Sequence, residues 1–174
     1  SDTTSHLQMA SFSFDVFSGD IIRTLCCGAK LILCPREILL SAHELWSLID
    51  KYKVDCCEFV PVVLKNLSDY LKERNQKMDC MSILIVGSDS FHLGEFYDFQ
   101  RICGAKTRLF NSYGTTEATI DSIYFENTNT NLLIKSQVPI GKPFSNIKIY
   151  ILDKNCKPVP IGVPAELHIG GVGL

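Results

Sequence analysis

Apolar and polar positions recur with two periods along this chain, and the period changes at glycines and prolines. In residues 9–17, Ala10, Phe12 and Phe14 alternate with Met9, Ser11 and Ser13, the period of a strand. That strand runs to Asp15 and breaks at Ser18, Gly19 and Asp20. Residues 21–27 predict a short helix ended by Gly28, and residues 30–34 a strand stopped by Pro35. Ser41 with Glu44 forms a capping-box pattern ahead of a helix that sets Leu45, Leu48, Ile49 and Tyr52 on one face. Residues 55–60 read as a strand ending at Pro61. The next helix turns Leu64, Leu67 and Leu71 inward and Lys65, Lys72, Glu73 and Arg74 outward. Residues 82–86 are an apolar strand ending at Gly87. Residues 93–103 are a helix with Phe96, Phe99 and Cys103 on one side, closed by Gly104. Residues 107–110 are a further buried strand, broken at Gly114.

Strand alternating with helix predicts an α/β fold: a parallel-rich sheet with flanking helices and right-handed crossovers. Sites in such sheets lie beyond the carboxyl ends of the strands. The breaks at Pro61, Gly87 and Gly114 all fall there, so three turns are expected to line one crevice. After Asp121 the pattern changes. Residues 127–131 are polar and read as a loop. Ile147, Ile149 and Ile151 alternate with Lys148, Tyr150 and Leu152, and residues 165–169 form another strand. This is antiparallel structure, a separate small sheet or part of a barrel. The expected division is 1–125 for the α/β part and 126–174 for the partial barrel, both within one larger domain.

The net charge of −2 argues against a nucleic-acid partner bound through its phosphates. No apolar run is long enough to cross a bilayer, and the first residues carry no basic start or apolar core of a signal peptide. Both ends look cut, which suggests an internal piece of a longer protein. Eight cysteines form no Cys-x-x-Cys pair, and His6, His43, His92 and His168 are scattered, so zinc is not expected. The cysteines sit mostly in apolar runs, as reduced thiols of a cytoplasmic protein do.

Residues 111–121, Asn-Ser-Tyr-Gly-Thr-Thr-Glu-Ala-Thr-Ile-Asp, concentrate candidate chemistry after a buried strand. Tyr113 offers an aromatic face, Thr116 a donor for phosphate and Glu117 a hard oxygen ligand for a divalent ion. An ordinary strand-to-helix turn with capping threonines is the alternative reading. The run Asn-Ser-Tyr-Gly-Thr-Thr-Glu resembles the core motif of adenylate-forming enzymes, Asn-x-Tyr-Gly-Pro-Thr-Glu, with Thr115 where proline is usual. Residues 10–15 (Ala-Ser-Phe-Ser-Phe-Asp), 86–88 (Val-Gly-Ser), 140–143 (Ile-Gly-Lys-Pro) with 149–153, and 162–171 resemble further motifs in the family's order. Ala165 stands where glycine is common. Together they resemble the adenylation domain of a non-ribosomal peptide synthetase.

That resemblance implies ATP and Mg2+ as cofactors and an amino-acid substrate activated as aminoacyl-AMP. It implies a peptidyl carrier domain, whose phosphopantetheine thiol takes the acyl group, and a condensation domain as partners in the same chain. By the resemblance, Asp15 pairs with the α-ammonium, Thr116 meets the α-phosphate and Glu117 ligates magnesium. Tyr113 stacks on adenine, with Gly87, Ser88, Asn111 and Gly114 around the nucleotide. The family's phosphate loop, ribose-binding aspartate and mobile C-terminal domain have no counterpart in these residues, so the piece alone is expected to be inactive. The pocket positions carry over to Asp15, Val16, Gly19, Glu58, Leu84, Val86, Ser112, Ile120 and Asp121. Gly19 leaves room where many members place an aromatic ring. Glu58 and Asp121 put two carboxylates between apolar walls, a costly arrangement if nothing opposes them. A basic substrate resolves it, ornithine or lysine first and arginine next. An acyl- or aryl-CoA ligase is the rival reading, against which Asp15 speaks. A non-catalytic interaction module of a synthetase is another. A dinucleotide oxidoreductase lacks its Gly-x-Gly-x-x-Gly.

Overall fold

A computed structural model describes residues 3–126 and 136–174; the expected loop at 127–131 lies outside them. The strands are β1 (Ser5–Gln8), β2 (Lys30–Leu33), β3 (Cys56–Phe59), β4 (Ile83–Val86), β5 (Arg108–Tyr113), β6 (Ile123–Glu126), β7 (Lys142–Pro143), β8 (Ile147–Leu152) and β9 (Glu166–Gly171). The helices are α1 (Asp15–Cys26), α2 (Ala42–Tyr52), α3 (Pro61–Glu73) and α4 (Leu93–Ile102). Seven strands form one sheet in the order β2-β1-β3-β4-β5-β6-β7. The first five are parallel, and β6 and β7 add antiparallel to that edge. Strands β8 and β9 form a separate antiparallel ribbon. The change to a second sheet therefore falls at Ile147 rather than at 126, because Lys142–Pro143 still pairs with β6.

Period two on the central strands divides the sheet into two faces. Leu7, Cys57, Phe59, Leu84, Val86 and Leu109 point to one face and form a buried core with Leu45 and Ile49 of α2, Leu64, Leu67 and Leu71 of α3, and Phe96 and Phe99 of α4. The in-register neighbours Glu58, Ile85 and Phe110 point to the other face, which α1 covers only in part. Strand order reverses between β1 and β3: α1 leads outward to β2, and α2 carries the chain back past β1 to β3. Such a reversal opens a crevice at the strand ends.

Three local expectations change. The first strand is Ser5–Gln8, and the chain from Met9 to Phe14 turns before entering α1. Helix α1 starts at Asp15 and passes through Ser18, Gly19 and Asp20 without a break. Gly19 serves packing there, since a Cβ would lie 2.5 Å from Ile120 Cδ1. Ser41 Oγ caps α2 by accepting from the Glu44 amide at 3.4 Å, while the Ser41 amide donates to the Ile38 carbonyl, so one half of the capping box forms. Gly104 has no left-handed backbone. A Cβ on it would come within 3.1 Å of Asp79 Cα, so close approach of two chain segments calls for the glycine.

Strands β1 and β3 share two register pairs, His6 with Cys56 and Leu7 with Cys57. A buried carboxylate reinforces this short seam. Asp55 accepts from the Thr4 amide and hydroxyl, both at 2.7 Å, and from the Ser5 amide at 3.1 Å. The Ser5 hydroxyl donates to the Lys53 carbonyl at 2.9 Å. Replacing Asp55 by Ala strands three donors at the end of the sheet opposite the crevice. We expect a loss of about 2–4 kcal/mol in urea denaturation, with Asp55→Asn losing less because one oxygen remains.

Candidate functional site

The crevice is built from chain that leaves the ends of β1, β3, β4 and β5. Two glycines let these ends converge. A Cβ on Gly87 would sit 2.7 Å from Ser112 Oγ, and one on Gly114 would sit 1.7 Å from the Ile120 carbonyl oxygen. Strand β5 runs on to Tyr113, three residues beyond the expected end. The chain then makes a single 3-10 turn, Thr116–Ala118, and folds back so that the Ser122 amide donates to the Tyr113 carbonyl at 2.9 Å. Ser88, Thr119 and Ile120 have φ of 68°, 59° and 70°. Left-handed backbone is costly for a β-branched residue, so tight closure of this turn holds Ile120 in a strained position on the crevice wall.

Asp15, Val16, Glu58, Ser112, Thr116, Ile120 and Asp121 surround one cavity of about 230 Å³, with Ser88 and Gly114 at its edge. Asp15 is at the start of α1 and accepts from the Val16 amide at 2.9 Å. A second cavity of about 280 Å³ adjoins it through Ser88, Ser112 and Gly114, and there Tyr113, Asn111 and Ile140 complete the lining. Asn111 Nδ2 donates to the Pro139 carbonyl at 2.9 Å, which fixes residues 137–140 as one wall. Tyr113 is partly exposed, and Glu117 is exposed on the 3-10 turn.

Two expected wall residues are elsewhere. Leu84 and Val86 are wholly buried and belong to the core on the far face of the sheet. Alternation shifts the wall by one residue: Ile85 pairs in register with Glu58 and lines the α1 face, and Gly87 brings its bare Cα against Ser112. The room expected at Gly19 is occupied too. Ile120 Cδ1 and Arg23 Nη2 fill it, the latter 3.2 Å from where a Cβ would stand.

Arg23 is the residue that the sequence pattern did not single out. Its guanidinium reaches Glu58 Oε2 at 2.8 Å, Asp20 Oδ1 at 3.2 Å and Asp121 Oδ2 at 3.8 Å. Its Nε donates to the Gly19 carbonyl at 3.3 Å. The same Asp20 oxygen meets His6 Nε2 at 2.8 Å, both side chains being buried. The cation expected opposite the two pocket acids was that of a substrate, and the chain already supplies one. One guanidinium stands between them. A helical i, i+3 relation of Asp20 to Arg23 was visible in the sequence; the strand break placed at Gly19 concealed it.

Burial pushes the Glu58 carboxyl up to about 7, and the nearby Asp121 charge adds to this while Arg23 opposes it. Asp121 is raised as well, chiefly by burial, with Arg23 pulling the other way. For Arg23, burial works against the charge, but Glu58 and then Asp20 and Asp121 outweigh it and hold the guanidinium above its usual value. Ser112 Oγ is buried with no hydrogen-bond partner, although it lies close enough to Asp121 to favour the carboxylate. The site thus holds an orphaned hydroxyl and more negative than positive charge.

Among the described residues no group of three or more His, Cys, Asp or Glu side chains is placed to hold a metal ion. A lone exposed carboxylate such as Glu117 suits magnesium that takes its remaining ligands from phosphates and water. All eight cysteines are free, and among the described residues no helix is long and apolar enough to cross a membrane.

A sequence model of the AMP-binding enzyme family matches residues 1–174. Gramicidin S synthase 2 of Brevibacillus brevis is 42% identical over 168 residues, covering 97% of this chain and 4% of the relative. Tyrocidine synthase 3 of Brevibacillus parabrevis is 39% identical over 168 residues, covering 97% and 3%. The chain thus spans a few per cent of these curated relatives. Among solved structures, the non-ribosomal peptide synthetase FmoA3 superposes with a TM-score of 0.90 at 22% identity, over 99% of this chain and 18% of that one. The N-terminal subdomain of Klebsiella oxytoca NpsA, in complex with 3-hydroxybenzoyl-AMSN, gives 0.83 at 23% identity, over 100% and 43%.

A raised carboxyl is one that folding protonates, so its contribution to stability is fully present below the unfolded value and is lost as pH rises toward 7. Glu58→Gln removes this dependence. The stability of the variant relative to the parent should shift in its favour by about 2 kcal/mol between pH 5 and pH 8. Thermal melts across that range check the sign.

Proposed function

The chain belongs to the AMP-binding enzyme family, and from that premise we propose that its crevice activates an amino acid with a basic side chain, ornithine or lysine before arginine. The observation that carries this reading is the convergence of Asp15, Glu58 and Asp121 on one cavity that adjoins the Tyr113 cavity. In the reaction, a carboxylate oxygen of the amino acid attacks the α-phosphorus of ATP and pyrophosphate leaves. The aminoacyl group then passes from the adenylate to a carrier-domain thiol, which loses its proton as AMP leaves, with a condensation domain beyond it in the same synthetase. Reduced thiols and such partners suit a cytoplasmic protein.

The roles we assign are those the family resemblance implies. Asp15, at the entrance shared with Val16, takes the α-ammonium. Tyr113 stacks against adenine, and Ser88, Gly87, Asn111 and Gly114 shape the slot around it. Thr116 donates to the α-phosphate, and Glu117 would hold magnesium, which would supply charge that neutralises the phosphates. Ser112, Ile120 and Ile85 flank the side chain, and Glu58 with Asp121 receives its cation. An aryl or acyl substrate without an α-amino group would leave Asp15 unpaired in this cavity, which disfavours the ligase alternative.

Arg23 alters the argument for a basic substrate without removing it. One guanidinium is shared by Glu58, Asp20 and Asp121, so a negative surplus is left over. A substrate cation cancels it. In the complete adenylation domain, Glu58→Gln and Asp121→Asn should each lower kcat/KM for ornithine and lysine by about 10- to 100-fold. An amino-acid panel in ATP–pyrophosphate exchange checks this. Unchanged use of both amino acids by both variants would remove the basis for a basic substrate.

A further inference from the structure

Arg23 stands apart from the groups that hold substrate or nucleotide, yet its side chain is about one-third exposed and lines a cavity under α1 that shares Ser112, Ile120 and Asp121 with the Asp15 cavity. Its geometry is unequal. Nη2 is shared between Glu58 at 2.8 Å and Asp20 at 3.2 Å, whereas Nη1 approaches Asp121 only to 3.8 Å. That last separation is beyond a hydrogen bond, so Asp121 is the less neutralised of the two pocket acids. Beside it lies Ser112 Oγ, buried and without a hydrogen-bond partner. An acceptor hydroxyl next to an under-neutralised carboxylate is a receptor for an ammonium donor.

The scaffold fixes Arg23 from below. Asp20 is held by His6 on β1 at 2.8 Å, and the Gly19 carbonyl takes the Nε proton. Gly19 itself permits this placement, because a Cβ there would crowd both Ile120 and the guanidinium. The arginine is therefore set to remain at the same carboxylates that an incoming cationic side chain would seek.

We propose that Arg23 is a specificity-determining residue, a built-in counter-cation that competes with the cation of the substrate side chain for Glu58 and Asp121. This rests on the crevice being an amino-acid pocket, but not on which amino acid wild type prefers. Counting the three groups, the wild-type pocket carries one surplus negative charge. That deficit is small enough for a neutral side chain to be tolerated and large enough for a basic one to be favoured. Removing Arg23 leaves two surplus charges, and a neutral side chain then buries both.

The test is an ordering. In the complete adenylation domain, the ratio of kcat/KM for ornithine to that for norvaline, its neutral equivalent in length, is measured by ATP–pyrophosphate exchange. Counting Arg23, Glu58 and Asp121 as ionised, and leaving aside Asp20, which every variant retains, the formal pocket charge is zero in Glu58→Gln, −1 in wild type and in the double variant Arg23→Gln with Glu58→Gln, and −2 in Arg23→Gln. The ratio should rise by about tenfold or more per added negative charge, so that Glu58→Gln is lowest, wild type and the double variant agree, and Arg23→Gln is highest. If Arg23→Gln fails to fold, the double variant against Glu58→Gln gives the same comparison with no second stranded carboxylate. A ratio in Arg23→Gln at or below wild type overturns the proposal. So does a double variant that does not exceed Glu58→Gln, or equal loss on both substrates, which marks a merely structural role. A wild-type preference for neutral amino acids with the ordering intact would refute the basic-substrate reading and leave Arg23 in its role.

Discussion

Alternation of side chains across the central parallel strands is the constraint on which the rest of this molecule depends. Cys57 and Phe59 of β3, Leu84 and Val86 of β4 and Leu109 of β5 go into a core sealed by three helices, and Glu58, Ile85 and Phe110 between them go to the face under α1. Core and site are thus the two sides of the same strands. Glu58 can be a carboxylate between Cys57 and Phe59 because its neighbours, not it, fill the apolar layer. A shift of one residue in the pairing would bury the acid among leucines and expose the core, so the register that stabilises the fold is the register that makes the pocket.

On this frame, charge is managed locally. A ladder of polar groups runs from β1 through α1 to the strand ends, from His6 to Asp20, to Arg23, to Glu58 and Asp121. Each member of a buried chain of this kind needs its partners, because an unpaired charge away from water is expensive. The ladder ends without full closure, at the longer Arg23–Asp121 separation and the unpartnered Ser112 hydroxyl. Incomplete satisfaction at the crevice end, against complete satisfaction at the β1 end, is what a ligand site looks like in terms of hydrogen bonding.

Much of this was legible in the sequence for physical reasons that can be named. Leu64, Leu67 and Leu71 announce α3 through their spacing, Pro61 marks its first turn, and the apolar run at 82–86 announces β4. The motif at 111–117 placed the crevice, and the resemblance to peptide-synthetase adenylation domains holds over the whole chain. What failed did so where tertiary contacts override local signals. Phe12 and Phe14 alternate like a strand but lie in an exposed turn, and Gly19 reads as a break until Ile120 is seen against it. In a continuous apolar run such as β4 no pattern tells which residues face which way, so Leu84 and Val86 were chosen where Ile85 and Gly87 stand. Arg23 was hidden for a related reason: its partners come from 35 to 98 residues away as well as from its own helix.

The chain that follows β9 meets the site at Thr119. The Thr119 hydroxyl donates to the Gly173 carbonyl at 2.6 Å, and the bare Gly173 Cα lies against the backbone of the 3-10 turn, where a Cβ would come 3.0 Å from the Ala118 carbonyl oxygen. Thr119 immediately precedes Ile120 and Asp121. The chain beyond β9 therefore buttresses the turn that carries Ile120 and Asp121, so the pocket wall is propped by a segment that lends no side chain to the pocket.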